Sequence, residues 1–147
     1  MKKGARKENI VKRNWHLFDA KNKILGRLAT QIVHVLMGKN KPSFVPWQDR
    51  GDYVVVINAE KVKVSGRKEK QKLYFRHSGF LGSLKEETLE KLRQRRPEEI
   101  IRRAVKNMLP KNKLRRGRMR RLKIVVGDQH PYEDKIKNQK PKIKNTD

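Results

Sequence analysis

Forty lysines and arginines against fifteen acidic residues leave this 147-residue chain with a net charge of +25, and that excess limits where it can fold. Like charges oppose compaction, so a core must form where cations are sparsest, and a polyanionic partner must neutralise the rest. The charge is uneven: residues 14–65 hold eight cations and four acids, residues 66–109 thirteen and six, residues 110–147 thirteen and four. The least basic stretch also holds the longest apolar runs, so the chain reads as a folded centre with basic appendages. At this length one domain is expected, and a hydrophobic content of 35% is low for burying a large core, so stability leans on the partner.

Several classes are set aside early. No apolar run approaches the roughly 18 residues of a membrane helix, and no apolar segment follows Lys2 and Lys3, so neither a membrane protein nor a secreted one is expected. Zero cysteines exclude disulfides and thiolate metal sites, and four scattered histidines offer little for zinc. No metal, cofactor or small-molecule substrate is expected. Phosphate-loop, dinucleotide and nucleophile motifs are missing.

The apolar periods then set the order of elements. Residues 1–14 are polar and cationic and read as an arm. Trp15-His16-Leu17-Phe18, ending at Asp19, suits a strand. From Leu25, the residues Leu28, Ala29, Ile32, Val35 and Leu36 recur at spacings of three and four, with Gly38 placed as a C-cap; this predicts a helix. Tyr53-Val54-Val55-Val56-Ile57 is an unbroken β-branched run, the pattern of a strand covered on both faces in a parallel sheet. The fold class is therefore α/β. Lys61-Val62-Lys63-Val64 alternates and reads as a further short strand, and Leu73-Tyr74-Phe75 is a strand candidate. Pro97 suits a first helical position, after which Ile100, Ile101, Ala104, Val105 and Met108 share a face, while Glu98 and Glu99 precede Arg102 and Arg103 by four. Leu122 to Val126 reads as the last strand, and residues 128–147 as an extended Lys-rich tail, which leaves residues 15–127 as the domain.

Three basic clusters are candidates for nucleic acid. From Lys111 to Lys123, eight of thirteen residues are basic and none is acidic, among them Lys113, Arg115, Arg116, Arg118, Arg120 and Arg121. A loop of that density suits phosphate contact with counterion release; a solvated loop or a localisation signal is the alternative. Lys39 and Lys41 follow the first helix, where they either complement its dipole or hold phosphate. Arg67, Lys68, Lys70, Lys72, Arg76 and His77 interleave with Tyr74 and Phe75, so base stacking competes with a core role for those rings. Asp49, Asp52 and His77 could be drawn as a metal-dependent nuclease site, but aspartates in turns commonly cap backbone amides. The tripeptide Arg50-Gly51-Asp52 matches an adhesion motif by chance.

Four blocks in order resemble a known family: Leu25-Gly26-Arg27-Leu28-Ala29-Thr30 after Asp19-Ala20, GKNKPSFVPWQDRGDYVVVINAEKVKVSGRK from Gly38 to Lys68, YFRHSGFLGSLK from Tyr74 to Lys85, and AVKNMLPKNKL from Ala104 to Leu114. Over about Trp15 to Pro131 the chain resembles ribosomal protein thirteen of the large subunit, in its bacterial and organellar form. The resemblance implies a single three-layer α/β domain without catalytic activity that binds large-subunit ribosomal RNA early in assembly, beside neighbouring large-subunit proteins. It further implies RNA contact at Arg27, Lys39, Lys41, Arg67, Lys68, Arg76, His77, Lys111 and Lys113, and a ribosome-bound place in the bacterial cytoplasm, with a mitochondrial or plastid ribosome as the alternative. A free regulatory RNA- or DNA-binding protein is the competing function. Asn40 and Trp47 stand where that family commonly has His, Ser83 and Asn107 where it has Gly, and Arg115-Arg116 at a usual Gly position.

Overall fold

The structure, a computed structural model, describes residues 12–137, so residues 1–11 of the predicted arm and 138–147 of the predicted tail lie outside the described residues. Strands β1 (Trp15–Asp19) and β2 (Tyr53–Ile57) flank helix α1 (Leu25–Met37) in sequence. Next come a 3-10 turn (Ala59–Lys61), α2 (Lys68–Gln71), β3 (Leu73–Arg76), β4 (Lys85–Thr88), α3 (Leu89–Arg95) and α4 (Pro97–Met108). The last elements are α5 (Leu114–Arg120), β5 (Leu122–Ile124) and α6 (Glu133–Lys137). β1, β2 and β5 form a parallel sheet in that order, with Trp15 opposite Tyr53 and Val54 opposite Leu122. The α/β class, the small parallel sheet and the flanking helices are as the β-branched run predicts.

The central strand explains the run's composition. Val54 and Val56 enter the main core with Leu28, Ile32 and Leu36 of α1 and Ile100, Ile101 and Val105 of α4, while Val55 points to the opposite face and is also buried. Burial of a Val, Leu or Ile side chain contributes about 1.5–3 kcal/mol, so these residues carry much of the hydrophobic stabilisation. Pro97 is the first residue of α4, and Glu99 lies 3.5 Å from Arg102 and 3.6 Å from Arg103. Met108, expected on the buried face, is exposed.

Three expectations are corrected and one strand candidate is borne out. Lys61–Val64 is not a strand: the 3-10 turn runs into it, and only Lys63 bridges, to Ile24, because Arg93 Nη1 takes the carbonyls of Glu60 and Val62 at 2.7 and 2.8 Å. Leu73–Arg76 is a strand, but it belongs to a separate antiparallel pair with β4. The basic segment expected as a loop contains α5, whose helical period is masked because its one fully buried position is Arg118, beside half-buried Leu114 and Met119. Residues 128–137 are not extended: α6 packs on β1, with Tyr132 stacked 5.3 Å from Trp15, itself 4.4 Å from Tyr53, and Lys135 over the Trp15 ring.

The end of α1 is fixed by the loop that returns to β2. Gly38 adopts φ 79° and its N–H bonds the carbonyls of His34 and Val35, closing the helix. The Asp52 N–H also donates to Val35 O, at 3.2 Å, and a Cβ on Gly51 would lie 1.7 Å from Leu36 O. Only glycine allows that approach of backbone to helix terminus. Gly51→Ala is therefore expected to cost about 4 kcal/mol or more, read from the urea midpoint of the purified protein; a loss under about 1 kcal/mol would contradict this packing.

Candidate nucleic-acid interface

The loop that Gly51 allows brings two aspartates against part of the cationic excess. Asp49 receives both Arg121 Nη atoms, at 2.6 and 2.5 Å, a bidentate pairing whose flat fork fixes the arginine. Arg118 Nε lies 3.8 Å from the same carboxylate and Arg13 Nη2 3.9 Å, with Arg13 also donating to the carbonyls of Gly51 and Asp49. Asp52, which is buried where Asp49 is only partly so, accepts from the Asn14 N–H at 2.9 Å, pairs with His16 Nε2 at 3.2 Å, and is bonded by Lys41 Nζ. Lys41 reaches the carbonyls of Lys12 and Arg50 as well.

This arrangement assigns the aspartates to the fold. Arg118 is 1% exposed, and among the described residues its three guanidinium nitrogens lack hydrogen-bond partners and Asp49 is its one close counter-charge. Burial draws the Arg118 pKa below its ordinary value, Asp49 opposes that shift, and neighbouring Arg121 adds to it. His77 is placed in the β3–β4 turn, its Nδ1 accepting from the Gly79 N–H, and joins neither carboxylate. Among the described residues no group of three or more His, Cys, Asp or Glu could hold a metal ion.

The outward cations converge on a groove of about 1300 Å³ between α4, α5 and β5. Arg102 and Lys106 come from α4, Lys113, Arg115, Arg116 and Arg120 from α5 and its approach, and Lys123 from β5. Met119, Leu122, Ile124 and Tyr132 line it too, and among the described residues no acidic one does. Seven cations at one concavity form a strongly positive potential suited to a phosphate backbone. Arg102 and Lys106 escape the sequence reading because the first also serves Glu99; their spacing of four on a helix is the signal that joins them.

The other predicted residues separate. Arg27, Lys68 and Lys72 border a second groove of about 770 Å³ between α1 and α4, floored by Leu25, Val64, Ala104 and Met108. Lys39, Arg67, Arg76, His77 and Lys111 are exposed elsewhere on the surface. Arg118, Arg121 and Lys41 turn inward onto the two aspartates. Of the candidate stacking rings, Tyr74 is packed against the core between Lys72 and Arg103, at 5.3 and 5.1 Å, and burial raises its pKa; Phe75 is exposed.

Known proteins resemble the chain along nearly its whole length. Residues 13–131 match the family described as Ribosomal protein L13. The large ribosomal subunit protein uL13 of Pelobacter propionicus is 50% identical over 143 residues, covering 97% of this chain and 98% of that one. The uL13 protein of a Geobacter species is 52% identical over 90% of this chain and 93% of its own, and that of Prochlorococcus marinus 57% identical over 83% and 85%.

Removing the Asp49 carboxylate would leave Arg118 and Arg121 buried without a counter-charge. Asp49→Ala should destabilise the protein by about 3–5 kcal/mol in urea unfolding without nucleic acid. A loss below about 1 kcal/mol would mean that the arginines find other partners.

Proposed function

The chain belongs to the ribosomal protein L13 family, whose members are structural rather than catalytic, and from that premise we propose that it is a constituent of the large ribosomal subunit that binds and stabilises large-subunit ribosomal RNA. The observation that carries the RNA reading is the groove between α4 and α5, lined among the described residues by seven cations and no acid. Lysine and arginine contacts to phosphates there release counterions and give sequence-independent affinity, while the fixed shape of the groove selects a particular backbone path. Lys113, Arg115, Arg116 and Arg120 make these contacts together with Arg102, Lys106 and Lys123.

Arg27, Lys68 and Lys72 form a second contact area at the smaller groove, and Lys39, Arg67, Arg76, His77 and Lys111 extend the surface. Lys41, Arg118 and Arg121 serve indirectly, by holding the scaffold. Residues 15–127 form the centre of the RNA-binding unit, to which residues 128–137 add α6 on β1 and Tyr132 in the groove lining, and residues 1–14 add a cationic end. Binding that stabilises a small core under such charge repulsion favours early joining during assembly. The partners are the RNA and adjacent large-subunit proteins, on the ribosome in the bacterial cytoplasm.

In a sucrose gradient the protein is expected to travel with large subunits; recovery only in the soluble fractions at low salt would overturn the proposal. With purified large-subunit RNA, Lys106→Ala combined with Arg116→Ala should reduce the slope of log affinity against log salt by about 0.7–0.9 per lost contact. An unchanged slope would remove the groove from the interface.

A further inference from the structure

The smaller groove, between α1 and α4, carries a surface that phosphate contact alone does not use. Its floor is apolar, built from Leu25, Val64, Ala104 and Met108, with Met108 45% exposed. Arg27, Lys68 and Lys72 stand around that floor, and among the described residues none of the three forms an ion pair. The charge is one-sided: the stretches that supply the lining, residues 24–30, 64–72 and 104–108, hold six cations and one acid. That acid, Glu69, pairs with Arg93 Nε at 2.7 Å and is not part of the lining.

A bare phosphate matches the cations and gains nothing from the floor; a nucleotide has a partner for both. Its base offers flat, weakly polar faces and its phosphates the opposite charge. A volume of about 770 Å³ lies within the range of small-ligand sites. Met108 contributes a polarisable sulfur, 3.8 Å from Thr30 Oγ1, that suits an aromatic ring. The exposed Asn107 side chain also lines the groove and forms no hydrogen bond among the described residues, which leaves two N–H donors and a carbonyl oxygen for the edge of a base. The occupant is polynucleotide rather than acidic peptide because the two grooves share a wall: α4 gives Arg102 and Lys106 to the larger and Ala104, Asn107 and Met108 to the smaller. A strand held at the first is one helix diameter, about 10–12 Å, from the second. We propose that the smaller groove receives one unpaired base of the large-subunit RNA, extruded from its stack onto the apolar floor, with Arg27, Lys68 and Lys72 on the flanking phosphates and Asn107 on the base edge. The inference rests on the RNA-binding reading above and deepens it from backbone contact to insertion of a base.

Purified large-subunit RNA is saturated with the full chain, unaltered or carrying Asn107→Asp, and treated with dimethyl sulfate and a water-soluble carbodiimide, which attack the Watson–Crick edges of bases. Position 107 is exposed, so the isosteric change leaves the fold in place. One unpaired base is expected to be shielded by the unaltered chain and about tenfold more reactive with the variant, and to regain reactivity also when Arg27→Ala and Lys68→Ala are combined. No base that responds, or a response confined to backbone positions in hydroxyl-radical cleavage, would overturn base insertion and leave phosphate contact standing. Lys68 and Lys72 that acetylate freely in the RNA complex but are shielded in intact large subunits would give the groove to a protein and overturn it too. Failure of the unaltered chain to bind the RNA at all would instead overturn the RNA reading, and this proposal with it.

Discussion

The bidentate bond from Arg121 to Asp49 is the contact on which the rest of the molecule depends, because it joins the return loop of residues 42–52 to the basic segment that leads into β5. Arg121 Nη2 also lies 3.4 Å from Leu36 O at the end of α1, so a single guanidinium connects helix terminus, loop and third strand. The negative end of the helix dipole and an aspartate thus share one cation. Without that link α5 would have a strongly charged surface and little apolar area to hold it.

Two groups among the cations are thereby set apart. One group, Arg13, Lys41, Arg118 and Arg121, is neutralised internally by Asp49 and Asp52. The other lines the groove between α4 and α5, where among the described residues no acid lines the wall and, apart from Arg102's pairing with Glu99, the cations stay available to a polyanion. The division costs desolvation of Arg118, whose pKa burial depresses while the Asp49 carboxylate opposes that shift. Helix geometry does the sorting: on α5, Arg118 turns in while Arg116 and Arg120 turn out.

Much of the fold is legible in the sequence where apolar residues keep a period. β1, α1, β2 and α4 fall where Trp15–Asp19, the Leu25–Leu36 spacing, the valine run and the Pro97–Met108 face place them. β4 and α3 are not legible, because Lys85-Glu86-Glu87-Thr88 offers no apolar alternation and α3 buries only Leu89 and Leu92. α5 is hidden for a different reason: Arg118 and Arg121 occupy buried positions with the same residue type as the exposed surface, so charge density conceals the inward face. The candidate interface is legible as a basic segment. Its groove is not, since Arg102 and Lys106 reach it only through the packing of α4 beside β5.

The division of charge is tested most directly at two arginines two residues apart on one helix. Salt dependence of affinity for large-subunit RNA would be measured for Arg118→Met and Arg120→Met beside the unaltered protein. Arg120→Met should flatten the slope of log affinity against log salt by about 0.7–0.9, the share of one phosphate contact, while Arg118→Met leaves the slope unchanged. An equal fall for both would contradict the account, since it would place the buried arginine at the RNA.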